Sequence, residues 1–234
     1  MINSIIHGDC LEVMKLIPDG SVDMILADLP YGITANKWDA IIPFDQLWLA
    51  YHRIVKANGA IALTATEPFS SMLVMSNMKR YRHKWVWNKN NSAGFVNAKR
   101  QPFQITEDVL VFGVKGVKYY PIMEERGKPR KKGGYSSSTN YFIKPDVSTN
   151  NLYYPKNVLI FPNAGHANRL HPTQKPLALC EYLIRTYTRE GELVLDNTCG
   201  SGTTCLAAKN TNRNYIGIEM DDKYFEIATN RLNG

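Results

Sequence analysis

Two short apolar runs constrain this chain more than any other feature, because each ends on a carboxylate and then bends at once. Val22 to Ala27 runs into Asp28 and the turn Leu29-Pro30-Tyr31-Gly32. Leu193 to Leu195 runs into Asp196 and the glycine-rich stretch Asn197-Thr198-Cys199-Gly200-Ser201-Gly202. Runs this short, without polar alternation, read as strands buried on both faces. Such strands need helices above and below, and the flanking segments supply them. Cys10 to Ile17, Phe44 to Lys56, Leu177 to Tyr187, Thr203 to Lys209 and Asp221 through Leu232 have helical spacing. Ala60 to Leu63 and Tyr215 to Glu219 are further strands. Alternation of this kind predicts an α/β fold with a doubly wound parallel sheet.

The middle of the chain breaks the pattern. Strand-like pieces at Lys84 to Trp87, Val109 to Phe112 and Val158 to Phe161 surround a long stretch rich in Gly, Ser, Asn, Tyr and Lys. Its centre, residues 126–140, is basic and without periodicity, and is expected to be a flexible loop. The Lys128 to Lys132 cluster (Lys128, Arg130, Lys131, Lys132) and Arg100 are candidates for phosphate contacts, with tyrosines interleaved. A solvated surface loop is the alternative. The predicted organisation is residues 1–90 and 157–234 as two parts of one domain, with 91–156 inserted.

Composition narrows the class. The formal charge of +7 and pI near 9.1 suit a polyanionic partner. No stretch approaches the roughly 18 apolar residues of a membrane span, and Met1-Ile2-Asn3-Ser4 lacks a signal-peptide layout. Cysteines at 10, 180, 199 and 205 have neither metal-site nor disulfide spacing. They read as buried or bystander thiols in a reducing cytoplasm, and no metal is expected.

The two acid-ended turns carry the chemistry. Gly200 and Gly202 let backbone N–H groups approach a ligand, and Glu219, 19 residues past Gly200, is placed to take ribose hydroxyls. A phosphate-binding Walker loop is excluded, since no Lys precedes Thr203 and Thr204. A dinucleotide fingerprint fails too, because Cys205 stands where its third glycine belongs. At the other turn, Asp28, a bend and the Tyr31 ring offer an acceptor beside a stacking surface.

Asp28-Leu29-Pro30-Tyr31 together with Asp196 through Thr204 resemble the S-adenosylmethionine-dependent amino-methyltransferases of DNA. The family's catalytic motif runs Asp/Asn/Ser-Pro-Pro-Tyr/Phe, and its cofactor motif runs Asp-Pro-Phe-x-Gly-Ser-Gly-Thr-Thr. The catalytic motif comes first here, the order of the family's beta group. His-Pro-Thr-Gln-Lys-Pro at 171–176 is similar to a segment these enzymes carry before the cofactor motif. Leu29 departs from the first Pro, and Asn197-Thr198 from Pro-Phe.

The resemblance implies a circularly permuted Rossmann-like methyltransferase sheet, with residues 91–156 as a target-recognition region. It implies that Asp28, the Leu29 or Pro30 carbonyl, and Tyr31 act on a flipped base. It assigns the cofactor to Asp196, Gly200, Ser201, Gly202, Thr203, Thr204 and Glu219, with Asp9 and its neighbour Cys10 at the adenine. Asp9 equally suits the N-cap of the helix starting at Cys10. Thr173 and Lys175 are expected at the methionine end of the cofactor, and Trp38 at the base pocket. Asp at position 28 favours adenine N6 over cytosine N4. Rival readings are the N4 reaction and an inactive cofactor-binding protein on DNA. The implied partner is double-stranded DNA, with room for a homodimer and a cognate restriction enzyme, and no membrane.

Overall fold

The structure is a computed structural model that describes residues 1–32, 40–93, 98–132, 148–163, 170 and 173–234. In chain order the first elements are β1 (Ser4–His7), α1 (Cys10–Met14), β2 (Val22–Asp28), α2 (Phe44–Ile54), β3 (Val55–Ala65) and α3 (Phe69–Ser76). There follow β4 (Tyr81–Ala93), β5 (Gln104–Phe112), β6 (Glu124–Lys132), β7 (Ser148–Tyr153) and β8 (Val158–Ile160). The chain closes with α4 (Leu177–Tyr187), β9 (Leu193–Asp196), α5 (Thr203–Asn210), β10 (Asn214–Glu219) and α6 (Asp222–Asn233).

Eight strands form one sheet in the order β1-β10-β9-β2-β3-β5-β4-β8. Counted from β9, the first five stand in the 3-2-1-4-5 order of a Rossmann-like sheet. The permutation expected from the motif order is therefore present: β9 and β10, late in the chain, lie between β1 and β2. The strands β1, β10, β9, β2 and β3 are all parallel. The sheet is nonetheless mixed, because β5 runs antiparallel to both β3 and β4.

Period-two alternation along β2 shows how the layers form. Ile25 and Ala27 face one core with Met14, Leu47, Tyr51 and Phe69, from α1, α2 and α3. Met24 and Leu26 face the other with Leu183, Ala207 and Ala228, from α4, α5 and α6. From Met24 to Ala27 the strand is apolar on both sides, which is why that stretch showed no polar alternation.

Two corrections to the expected organisation concern the middle. β5 lies inside the main sheet, so the separate compact unit begins at Pro121 rather than at 91 and runs to Lys156. Within it β6 and β7 pair antiparallel, so residues 126–132 are strand rather than loop. Hydrophobic periodicity missed β6 because the ladder uses backbone groups, and Lys128, Arg130 and Lys131 are all exposed. Consecutive residues point to opposite faces of a strand, so Arg130 and Lys131 put positive charge on both faces of this hairpin.

At the base of the main sheet, Asp23 is 2% exposed. It accepts bonds from Lys56 (2.7 Å), Lys118 (3.3 Å) and the Leu193 N–H (3.1 Å). Burial alone pushes this carboxyl up, but the Lys56 bond, the Leu193 N–H and Lys118 outweigh it and hold it below the ordinary range. The pair ties β2 to β3 and β9.

Candidate active site

β9 and β2 are neighbours at which the chain's crossovers diverge to opposite sides of the sheet, the place where α/β sheets open a ligand crevice. A cavity of about 690 Å³ lies there, and both acid-ended turns line it.

The first turn is fixed from several elements. Asp28 Oδ1 accepts bonds from the Tyr31 hydroxyl (2.8 Å) and from Thr64 Oγ1 on β3 (2.5 Å). Its Oδ2 accepts one from the Lys175 ammonium (2.6 Å). Its main-chain carbonyl accepts one from Thr198 Oγ1 (3.1 Å). Thr198 thus ties the two turns together where the resembling motif has Phe. The Tyr31 ring stacks on Phe69 with centroids 4.8 Å apart, and Gly32 takes the left-handed conformation (φ 70°) that ends the bend. Burial and the neighbouring Asp28 and Glu107 carboxylates push the Tyr31 hydroxyl well up, so it remains a donor.

The second turn is equally tied. Gly200 has φ 51°, and its N–H donates to Glu219 Oε2 (2.8 Å). Glu219 Oε1 accepts from the N–H groups of Met220 (2.9 Å) and Asp221 (2.8 Å). Asp196 is 4% exposed, and burial drives its carboxyl up to about 7 against bonds from Thr204 and the Thr198 N–H. Asn197 is 1% exposed; its Oδ1 accepts from the Tyr51 hydroxyl (2.6 Å), and its Nδ2 has no partner. Asp9 caps α1 through the N–H groups of Leu11 (2.8 Å) and Glu12 (3.2 Å), all from Oδ1. The capping alternative for Asp9 is therefore present, on the rim of the same cavity.

The cavity brings together Asp9, Cys10, Asp28, Leu29, Pro30, Tyr31, Thr173, Lys175, Asp196, Gly200, Ser201, Thr203, Thr204 and Glu219. Gly202 does not line the cavity; it has φ 75° at the N-terminus of α5, and a Cβ there would stand 3.2 Å from Ala228 Cβ. Backbone conformation and the close approach of α6 by themselves call for glycine there. Lys175 lines the cavity, but its ammonium sits on Asp28. Arg100 is exposed in a turn and does not line the cavity. Trp38 lies outside the described residues, as does the His171-Pro172 start of the 171–176 segment. Lys128, Arg130 and Lys131 are exposed on β6, which ends at Lys132.

Sequence reasoning missed an ionic row beside Asp28. Glu107 on β5 pairs with Lys89 on β4 at 2.5 Å and faces Lys175 at 3.6 Å. The side chains of Lys89, Glu107 and Lys175 are 12%, 13% and 13% exposed. Two adjacent acids ahead of an apolar run, as in Thr106-Glu107-Asp108-Val109, carry no local signal of such a role. Thr64 and Thr198 were likewise invisible, since their partners are distant in the chain. Among the described residues, no three His, Cys, Asp or Glu side chains gather as a metal site.

Residues 22–230 match the model of the DNA methylase family, and this chain belongs to that family. It is 32% identical over 246 residues to DNA adenine methyltransferase YhdJ of Escherichia coli (strain K12), covering 98% of this chain and 82% of that one. Type II methyltransferase M.HpaI of Haemophilus parainfluenzae is 26% identical, covering 98% and 74%. Among solved structures, the M1.HpyAVI–SAM complex superposes with a TM-score of 0.66 at 27% identity, covering 99% of each chain. The cytosine-N4-specific PvuII DNA methyltransferase gives a TM-score of 0.66 at 17% identity, covering 96% and 84%, and shares the fold. No helix among the described residues is long and apolar enough to cross a membrane.

Proposed function

We propose that this DNA methyltransferase transfers a methyl group from S-adenosylmethionine to the N6 amine of an adenine flipped out of duplex DNA. The observation that carries the reading is the convergence of Asp28-Leu29-Pro30-Tyr31 and the Asp196–Glu219 turns on one cavity at the sheet's crevice.

The lining fits the cofactor. Glu219 keeps carboxylate capacity for ribose hydroxyls beyond its three backbone bonds, and Asp9 Oδ2 is not used by the helix cap. Ile218, Leu29 and Pro30 give apolar walls, and the unpartnered Asn197 Nδ2 is a buried donor on the same cavity. Asp196 and Asp28 offer negative charge toward a cation. Bound there, S-adenosylmethionine supplies a methyl group activated by a sulfonium, which becomes a neutral thioether on transfer.

Asp28 does the work on the acceptor. The exocyclic amine of adenine is a weak nucleophile because its lone pair is delocalised. Accepting hydrogen bonds from its N–H groups stabilises the positive charge that grows on nitrogen as the new bond forms. Asp28 Oδ2 takes one of those protons into a bond. Thr198 donates to the Asp28 carbonyl, and, as the family resemblance implies, a carbonyl of Leu29 or Pro30 is read as the second acceptor. Tyr31, stacked on Phe69 and lining the cavity, is read as the surface on which the base stacks, worth about 1–3 kcal/mol against the few kcal/mol that flipping costs. Alignment of the in-line displacement supplies much of the remaining rate.

The basic residues of β6, in a target-recognition unit, and Arg100, outside it, are each read as phosphate contacts, supported by their exposure and charge. The likeness to relatives named type II methyltransferases supports a cognate restriction enzyme sharing the recognition sequence. Four buried free thiols go with the reducing cytoplasm this reading places it in.

The test is a nucleoside digest. Purified protein is incubated with S-adenosylmethionine and unmethylated duplex DNA, and the nucleosides are separated by mass spectrometry. N6-methyldeoxyadenosine supports the reading. N4-methyldeoxycytidine keeps the mechanism and overturns the base; no modified base, with cofactor bound, overturns the activity. Asp28→Ala should reduce turnover by at least about 10³-fold while leaving S-adenosylhomocysteine affinity within a factor of about three.

A further inference from the structure

Asp28 is occupied. The oxygen that must accept the target amine, Oδ2, already holds the Lys175 ammonium at 2.6 Å. Lys175 comes from the segment leading into α4, and its side chain is only 13% exposed, so it has little water to withdraw into. Taking an ammonium off a half-buried carboxylate without giving it another anion is unfavourable. A second place for this charge would leave Oδ2 wholly to the incoming amine.

The structure holds such a place. Glu107 Oε2 is buried without a hydrogen-bond partner, while Oε1 of the same carboxylate is satisfied by Lys89 at 2.5 Å. The Lys175 ammonium stands 3.6 Å from that vacant oxygen. Closing the gap to a charge-assisted bond of about 2.8 Å takes a movement of about 1 Å. The other titratable groups near this row are Tyr31, Asp196 and the buried Cys180 thiol. Neither hydroxyl nor thiol offers an anion, and Asp196 lies on the glycine-loop side. Glu107 is the alternative partner.

We infer that Lys175 is a two-position residue, holding Asp28 Oδ2 in the free enzyme and passing to Glu107 Oε2 when the target amine enters. In the free enzyme it orients Asp28 and keeps the half-buried carboxylate paired. With the base bound, Glu107 takes the charge and leaves Asp28 free to accept the amine's proton. Lys175 and Glu107 are positioning residues, and this departs from the expected place of Lys175 at the cofactor's methionine end. The inference rests on the methyltransferase reading above. It extends that reading to how the catalytic acceptor becomes available.

The test is a double-mutant cycle of Glu107→Gln and Lys175→Met. Single-turnover methyl transfer is measured at saturating DNA and S-adenosylmethionine, and S-adenosylhomocysteine affinity is measured separately. Glu107→Gln strands Lys175 on Asp28, so the rate should fall at least about tenfold, the size of one charge-assisted bond. With Lys175→Met already present there is no ammonium to relocate, and adding Glu107→Gln should change the rate less than about twofold. Inhibitor affinity should stay within about threefold in all variants. Equal slowing by Glu107→Gln in both backgrounds, or no slowing in the wild-type background, overturns the inference. A large affinity loss in Lys175→Met returns Lys175 to the cofactor and overturns it as well. Should the Gln variant not bind the inhibitor, Glu107→Asp, which withdraws the carboxylate but keeps its charge, enters the same cycle. Absence of methylation by the wild-type protein would instead sink the activity itself.

Discussion

Replacing Tyr31 separates two functions that the geometry gives to one side chain. Its hydroxyl donates to Asp28 Oδ1 at 2.8 Å, and its ring stacks on Phe69 at 4.8 Å while lining the cavity. Tyr31→Phe removes only the hydroxyl. A hydrogen bond to a charged group is worth about 1.5–3 kcal/mol. Asp28 keeps Thr64 on the same oxygen, so only part of that is lost as misorientation. A loss of about 1.4 kcal/mol corresponds to tenfold in rate. Tyr31→Ala also removes the stacking face, about 1–3 kcal/mol, so it should be slower by a further tenfold to hundredfold or so. The assay is single-turnover methylation of duplex DNA at saturating cofactor, with S-adenosylhomocysteine binding as the control for folding. Equal rates for the Phe and Ala variants would refute a stacking role, and a wild-type rate for Tyr31→Phe would refute the hydroxyl's hold on Asp28.

Gly202→Ala should act on stability more than on binding. A left-handed non-glycine residue costs roughly 1–2 kcal/mol, and the new Cβ would crowd Ala228 at 3.2 Å. At about 2–4 °C per kcal/mol for a chain of this size, Tm should fall by roughly 4–8 °C with inhibitor affinity little changed; a normal Tm with weakened binding would put Gly202 back against the ligand. Asp23→Asn leaves two lysines facing a neutral group and should cost about 3 kcal/mol at neutral pH. Because the folded carboxyl is held below its ordinary value, its contribution is complete above about pH 4 and is lost as pH falls through the folded value. The Tm gap between wild type and Asp23→Asn should therefore narrow on acidification, and a gap independent of pH would show that the ion pairs do not carry it.

How much of this was legible in the chain follows from the distance over which each interaction acts. The strand–acid–turn units at 22–32 and 193–202 were readable because strand length, bend and acid are neighbours in sequence. Their order along the chain, read with the family pattern, also implied that β9 and β10 enter the sheet between β1 and β2, as they do. β5 was misassigned to the insertion because its pairing with β3 and β4 depends on segments far from it, and β6 because a polar hairpin has no hydrophobic period to detect. Lys175 stands 147 positions from Asp28, and nothing local to either announces their bond.

The amino-acid sequence by itself determined which chemical groups exist and which short segments present them: an acid after a buried strand, an aromatic ring past a bend, glycines where a helix begins. Backbone preferences and hydrophobic period act over a few residues, so those features survive without a fold. Only the tertiary structure decided how each group is used. Packing α6 against Gly202 gave that glycine a structural reason the sequence did not show. Bringing β4, β5 and the segment before α4 toward the end of β2 across β3 set four charges in a row, with one carboxylate oxygen of Glu107 lacking a hydrogen bond. Electrostatic pairing in a buried site depends on separations of a few ångströms between groups a hundred residues apart, and only the folded chain sets those.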